Sequence, residues 1–239
     1  MIPLRDLERR PGIQLATALL VFVNVAVWVY VLTLIDRPAA LSDFYERWAF
    51  RPPAFFAMLN GGPTAEASLP LFTHQFLHGG WLHIAGNMVF LWVFGGAVES
   101  KVGHVGFLIF YVLAGCAAAL TQGVYQLAAA EPNGLVGASG AISGVLGAYI
   151  VLAPRARVRA LVPLGLFMTP IALPAILLLG EWFVLQLIAA FNLFPLLGER
   201  SARIAYFAHI GGFVAGAAFF GAARIAGRVR RMRPQPVSA

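Results

Sequence analysis

A serine stands between glycines in the string Gly137-Ala138-Ser139-Gly140, at the head of a short apolar run. At a helix N-terminus a hydroxyl has free amide groups beside it that can hold an oxyanion. Glycine neighbours let another backbone approach closely. The structural alternative is a packing face, because Gly140 and Gly144 form a small-xxx-small pair. A second set is His78, His83 and Asn87. His83 and Asn87 are four apart, so on a helix they share one face, and both can donate hydrogen bonds. No H-E-x-x-H and no adjacent carboxylate accompanies them, so no metal is indicated. Here the structural alternative is a pair of interhelical hydrogen bonds. The third set is Ala208-His209-Ile210-Gly211-Gly212. His209 is either a lone structural hydrogen-bonder or a general base for a serine.

The elements that must position these groups are membrane spans. Sixty per cent of the 239 residues are hydrophobic and 11% are charged, against about 25% in a soluble domain. Mean hydropathy is +0.80. The net charge of +7 sits in short clusters between apolar runs, as in loops facing an anionic leaflet, rather than in a nucleic-acid-binding patch. The lone Cys116 lies in an apolar run and carries no redox information. The mixed-charge start, residues 1–10, shows no short h-region, so no removable signal peptide is expected.

A span needs about 20 apolar residues. Residues 13–35, 81–98, 105–130, 138–153, 172–191 and 204–223 supply an expected six, in an all-α bundle forming one domain over 1–239. The fourth covers only about 24 Å. Residues 36–80 form a long outer loop whose aromatics suit the interface, and 224–239 a polar tail. Between Arg159 and Glu199, Pro163, Gly165, Pro170 and Pro174 break the first half, and an interfacial segment is expected up to about Ile171. With the N-terminus inside, inner segments carry Arg5, Arg9, Arg10, Lys101, Arg155, Arg157, Arg159 and the arginines from Arg224 onward. Outer segments carry only Arg37, Arg47, Arg51, Arg200 and Arg203. This bias places both termini in the cytoplasm. The second, fourth and sixth spans then run inward, which puts His83, Asn87, Ser139 and His209 at similar depth near the outer face.

In that order and on those spans, H-x4-H-x3-N (His78, His83, Asn87), G-x-S-G (Gly137 to Gly140) and A-H-x2-G (Ala208, His209, Gly212) resemble the rhomboid family. The Met1-to-Asp6 start, the long first loop and Gly95-Gly96-Ala97-Val98-Glu99 also resemble it, and the likeness covers nearly the whole chain. The resemblance implies an intramembrane serine endopeptidase with a dyad and no metal or cofactor. Ser139 would attack the scissile carbonyl, and His209 would take its proton and give it to the leaving amine. His83, Asn87 and the Ser139 amide would hold the oxyanion, and His78 would organise the first loop. Many relatives carry an aromatic four residues after the serine. Here it is Ser143, which could bond the His209 ring or, as expected of a helical serine, the Ser139 carbonyl.

Glu181 falls mid-span; it is read as protonated or as a sign of a misplaced boundary, with a third catalytic member the weaker alternative. Trp182 and Phe183 would lie on the gating span. The partners implied are single-span membrane proteins and membrane lipid, with no nucleic acid, in a bacterial inner membrane. The rival readings are an inactive relative that binds membrane proteins without cutting them, and a transporter, against which the absence of an internal repeat argues.

Overall fold

The computed structural model describes residues 1–8, 12, 14–61, 65–129, 134–165, 167–193 and 204–229. The ends of the first and third expected spans (Ile13, Ala130), Arg9, Arg10, Arg200, Arg203 and the tail beyond Val229 lie outside them.

The chain is mostly helical. Strand β1 (Ile2–Asp6) precedes α1 (Leu15–Leu32), and the first loop folds into α2 (Pro38–Trp48), α3 (Pro52–Leu59) and the short turns α4 (Ala65–Ser68) and α5 (Pro70–Thr73). Then come α6 (Trp81–Ala128), α7 (Ser139–Leu152), the strands β2 (Arg157–Leu164) and β3 (Phe167–Pro174), α8 (Ala175–Ala190) and α9 (Tyr206–Ile225). By length and composition α1, α6 and α9 can cross a bilayer; α7 and α8 are shorter apolar helices. Inside α6 the backbone breaks at Gly103 (φ 74, ψ 171), a conformation that glycine adopts readily. Residues 99–102, expected between two spans, are helical up to that break.

The helical expectation holds for most of the chain, and an antiparallel sheet of order β1-β2-β3 is an addition to it. The interfacial segment expected after Arg159 is the β2–β3 hairpin, with Arg157 opposite Pro174 and Leu164 opposite Phe167. Prolines exclude a helix there, while Arg157 and Arg159 alternate with the fully buried Val158 and Ala160 at the period of a strand. Gly165 makes the turn with a positive φ of 62°. Residues 172–174, read as the start of the fifth span, belong to β3, and α8 begins only after Pro174. The other helices lie within a few residues of their expected bounds.

Helix α7 is central. All residues from Gly140 to Tyr149 are buried, as befits a helix that is apolar on every side. Its glycines let backbones meet. A Cβ on Gly144 would press on Ala114 of α6, and one on Gly212 or Gly216 of α9 would collide with the carbonyl oxygen of Gly140 or Gly144. In a membrane such contacts drive association, because lipid tails are as apolar as leucine. Glu99, 2% exposed, accepts the amides of Ala16 at 2.9 Å and Thr17 at 2.8 Å. It thereby serves the otherwise unpaired donors at the start of α1 and its positive dipole end.

Candidate active site

Ser139 is the first residue of α7 and His209 the fourth of α9. The glycine crossing brings them together: His209 Nε2 lies 2.9 Å from Ser139 Oγ. The other ring nitrogen, Nδ1, is 2.7 Å from Gln186 Oε1 on α8. Gln186 Nε2 donates to the Trp182 carbonyl at 3.3 Å, which turns its oxygen toward the imidazole. An amide oxygen only accepts. The proton therefore sits on Nδ1, leaving Nε2 free to accept from the serine hydroxyl. The Trp182 ring lies 5.9 Å from that of His209, tilted by 36°.

Ser143 donates to the Ser139 carbonyl at 2.6 Å, as its helical position leads one to expect. The groups the structure sets against the His209 ring from α8 are Trp182 and Gln186. Glu181, on the exposed side of α8, does not join them. It lies in the lower half of the helix, since α8 starts later than expected, while Gln186 lies more than a turn further on.

The first glycine of the serine string has a steric reason. Gly137 has φ 124°, a region L side chains rarely adopt, and a Cβ there would meet the His83 ring at 2.7 Å. Its amide donates to the His74 carbonyl at 2.9 Å, tying the serine turn to the first loop. Ile142 is the first amide of α7 to find a helical acceptor, the Ala138 carbonyl at 2.9 Å, so the Ser139 amide stands in the unpaired first turn. Asn87 Nδ2 donates to His78 Nε2 at 2.9 Å, and the His78 and His83 rings meet edge-on at 5.1 Å. His78 thus acts on Asn87 directly as well as on the loop, through its carbonyl, which accepts from Tyr45 at 2.7 Å.

Ser139, His209, His83 and Asn87 line one cavity of about 1320 Å³, together with Gln122 and Trp182. Gln122, buried within α6, accepts the Ala208 amide at 3.1 Å and so fixes the first turn of α9 next to His209. Gln122 and Gln186 were not singled out from the sequence. The signal was available, since each is a polar residue inside an apolar run and needs a partner.

His74 and His78, in the loop, are held neutral. Burial lowers His74 to about 4, against the opposing pull of the Pro70 and Leu71 carbonyls. Burial, and then the nearby His83, lower His78 to about 3. A histidine depressed in the fold binds its proton more readily when unfolded, so its stabilisation is full above about 6.5 and is lost as pH falls toward the folded value. The melting temperature in detergent should therefore drop between about pH 6.5 and pH 4. His78→Gln should flatten part of that slope; an unchanged slope in both His74→Gln and His78→Gln would place the acid sensitivity elsewhere.

A mostly helical chain with membrane-spanning helices and a serine–imidazole contact in a cavity of mixed polar and apolar lining defines a class of membrane-embedded proteins. The Rhomboid domain description matches residues 66–224, and the chain belongs to the rhomboid family. It is 34% identical over 72% of its length to the Bacillus subtilis protein "Rhomboid protease GluP", covering 32% of that protein. It is 30% identical over 63% of its length to "Rhomboid protein 1, mitochondrial" of Saccharomyces cerevisiae, covering 40%. It is 31% identical over 45% of its length to the human "Presenilin-associated rhomboid-like protein, mitochondrial", covering 29%. The chain thus spans well under half the length of each of these relatives.

Proposed function

We propose that the chain is an intramembrane serine endopeptidase that hydrolyses single-span membrane proteins near the outer face of a bacterial inner membrane. The observation that carries this is the 2.9 Å contact of His209 Nε2 with Ser139 Oγ, in the tautomer a general base requires. Oγ attacks the scissile carbonyl as its proton passes to Nε2. The imidazolium then protonates the leaving amine, and water, deprotonated by the same nitrogen, releases the acyl group. The Ser139 amide, Asn87 and His83 surround the place where the oxyanion forms. Each step balances with these side chains and water, without a metal or cofactor.

The six-span reading takes α6 as two spans parted at Gly103, and α7 and α8 as short ones. Helix α7 is about 21 Å long, against a hydrocarbon core of about 30 Å, so a serine at its head lies below the surface. Arginines 155, 157, 159 and 224 gather at the end away from Ser139, which favours that end as cytoplasmic. A substrate would enter beside α8. Only its base is buried, at Ala175, Leu178 and Leu179. Its upper half rests on the bundle through Phe183, stacked on Phe213 at 4.4 Å, and through Trp182 and Gln186.

A peptide bond in an intact helix is shielded, so the substrate must unwind locally, and Gly or Pro near the cut should help. The close glycine turn favours a small residue before the scissile bond. Purified protein in vesicles, given a panel of single-span substrates, should cut in the outer third of the span after Ala or Ser, as read by mass spectrometry. Cuts near the inner face would overturn the depth assigned to Ser139. Binding of the panel without any cleavage would favour the inactive-relative reading.

A further inference from the structure

We propose that the three-stranded sheet is a binding surface for anionic phospholipid headgroups, at the end of the bundle opposite Ser139. One face of the sheet closes the bundle: Val158 and Ala160 are fully buried in the main apolar core. The other face is basic. Arg155, Arg157 and Arg159 are exposed at alternate positions, and Arg5 stands across from Arg159 in the β1–β2 register. Like charges opposite each other on a sheet are destabilising. None of these guanidiniums forms an ion pair among the described residues. Glu8, the nearby carboxylate, accepts the Arg157 amide at 3.2 Å and offsets part of the Arg157 charge. A row of exposed arginines with planar donor forks fits phosphodiester oxygens.

The same hairpin shows which polyanion is meant. Past the arginines it ends in exposed apolar side chains, Leu164 at 52%, Phe167 at 76% and Met168 at 49%. A nucleic acid or an acidic soluble protein offers the arginines a partner but leaves this tip in water. A bilayer interface takes both, phosphate against the basic row and acyl boundary against the tip. Beside the sheet, Arg5 and the half-exposed Trp92 border a cleft of about 380 Å³. Tryptophan at this level is the ordinary marker of the headgroup layer.

The test uses the whole protein in vesicles of equal phosphatidylglycerol and phosphatidylcholine, released into detergent, with retained lipids counted by native mass spectrometry. Wild type should retain phosphatidylglycerol in preference. Arg157→Gln and Arg159→Gln should each lower that preference about fivefold, and together with Arg5→Gln remove it. Phe167→Ser should reduce retained lipid of both kinds. An unchanged preference in the triple variant, melting as wild type does, would overturn the proposal. If the triple variant fails to fold, unchanged preference in both single variants would overturn it equally. A short oligonucleotide binding the wild type in phosphatidylcholine nanodiscs, undiminished by added phosphatidylglycerol, would assign the face to nucleic acid instead.

Discussion

Ser139→Ala and His209→Ala should each lower cleavage on the order of 10⁴–10⁶-fold while the protein stays folded in detergent, and the double variant should lose no more than either alone. Non-additivity follows because the two groups act as one unit: without the base the hydroxyl is a poor nucleophile, and without the hydroxyl the base has nothing to activate. A fluorophosphonate should label wild type and miss Ser139→Ala. Robust turnover by Ser139→Ala would end the serine mechanism. The bond from His209 Nδ1 to Gln186 extends this expectation to a positioning residue. Gln186→Leu removes the acceptor that selects the tautomer and should lower kcat by about tenfold to a hundredfold. Gln186→Glu keeps an acceptor and should retain much of the rate. Its negative charge would favour the imidazolium, so the acid limb of the kcat/KM profile should move to higher pH. A role confined to holding α8 in place would move neither limb.

That Ser139, His209, His83 and Asn87 gather around one cavity was legible in the sequence, because a polar residue in an apolar run is costly and because a helical period and an alternating direction of spans lead one to expect such residues together. The first glycine of the serine string was legible too, although its reason, the His83 ring lying against it, needed coordinates. Gln186 was hidden for a different reason. Its partner is remote in sequence, and only the path of α8 past α9 decides whether Gln186 or Glu181 faces the imidazole. Because α8 starts after Pro174, Glu181 sits low and outward. The sheet was missed because prolines and glycine in residues 157–174 signalled a break without saying what replaces the helix. The alternation of Arg157 and Arg159 with Val158 and Ala160 carried the answer at period two. The hairpin partner β3 lacks such alternation, and the other neighbour, β1, is remote in the chain.

Asn87→Ala and His83→Ala should each lower kcat by roughly 10²–10³-fold, and more than they raise KM, since an oxyanion donor acts on charge that exists only in the transition state. The geometry distinguishes the two. His83 reaches the serine turn directly, packed on Gly137, whereas one amide proton of Asn87 is already given to His78 at 2.9 Å. That bond fixes the Asn87 rotamer, and in the proposed role the second amide proton is the one left to give to an oxyanion. His78→Ala should therefore lower kcat through Asn87, by less than Asn87→Ala does, and should add little in an Asn87→Ala background. Substitutions that act on KM alone would make Asn87 and His83 substrate contacts. Full additivity of His78→Ala and Asn87→Ala would separate His78 from the site and leave it a loop residue only. Either result is read from the same two kinetic constants, provided each variant melts within a few degrees of wild type.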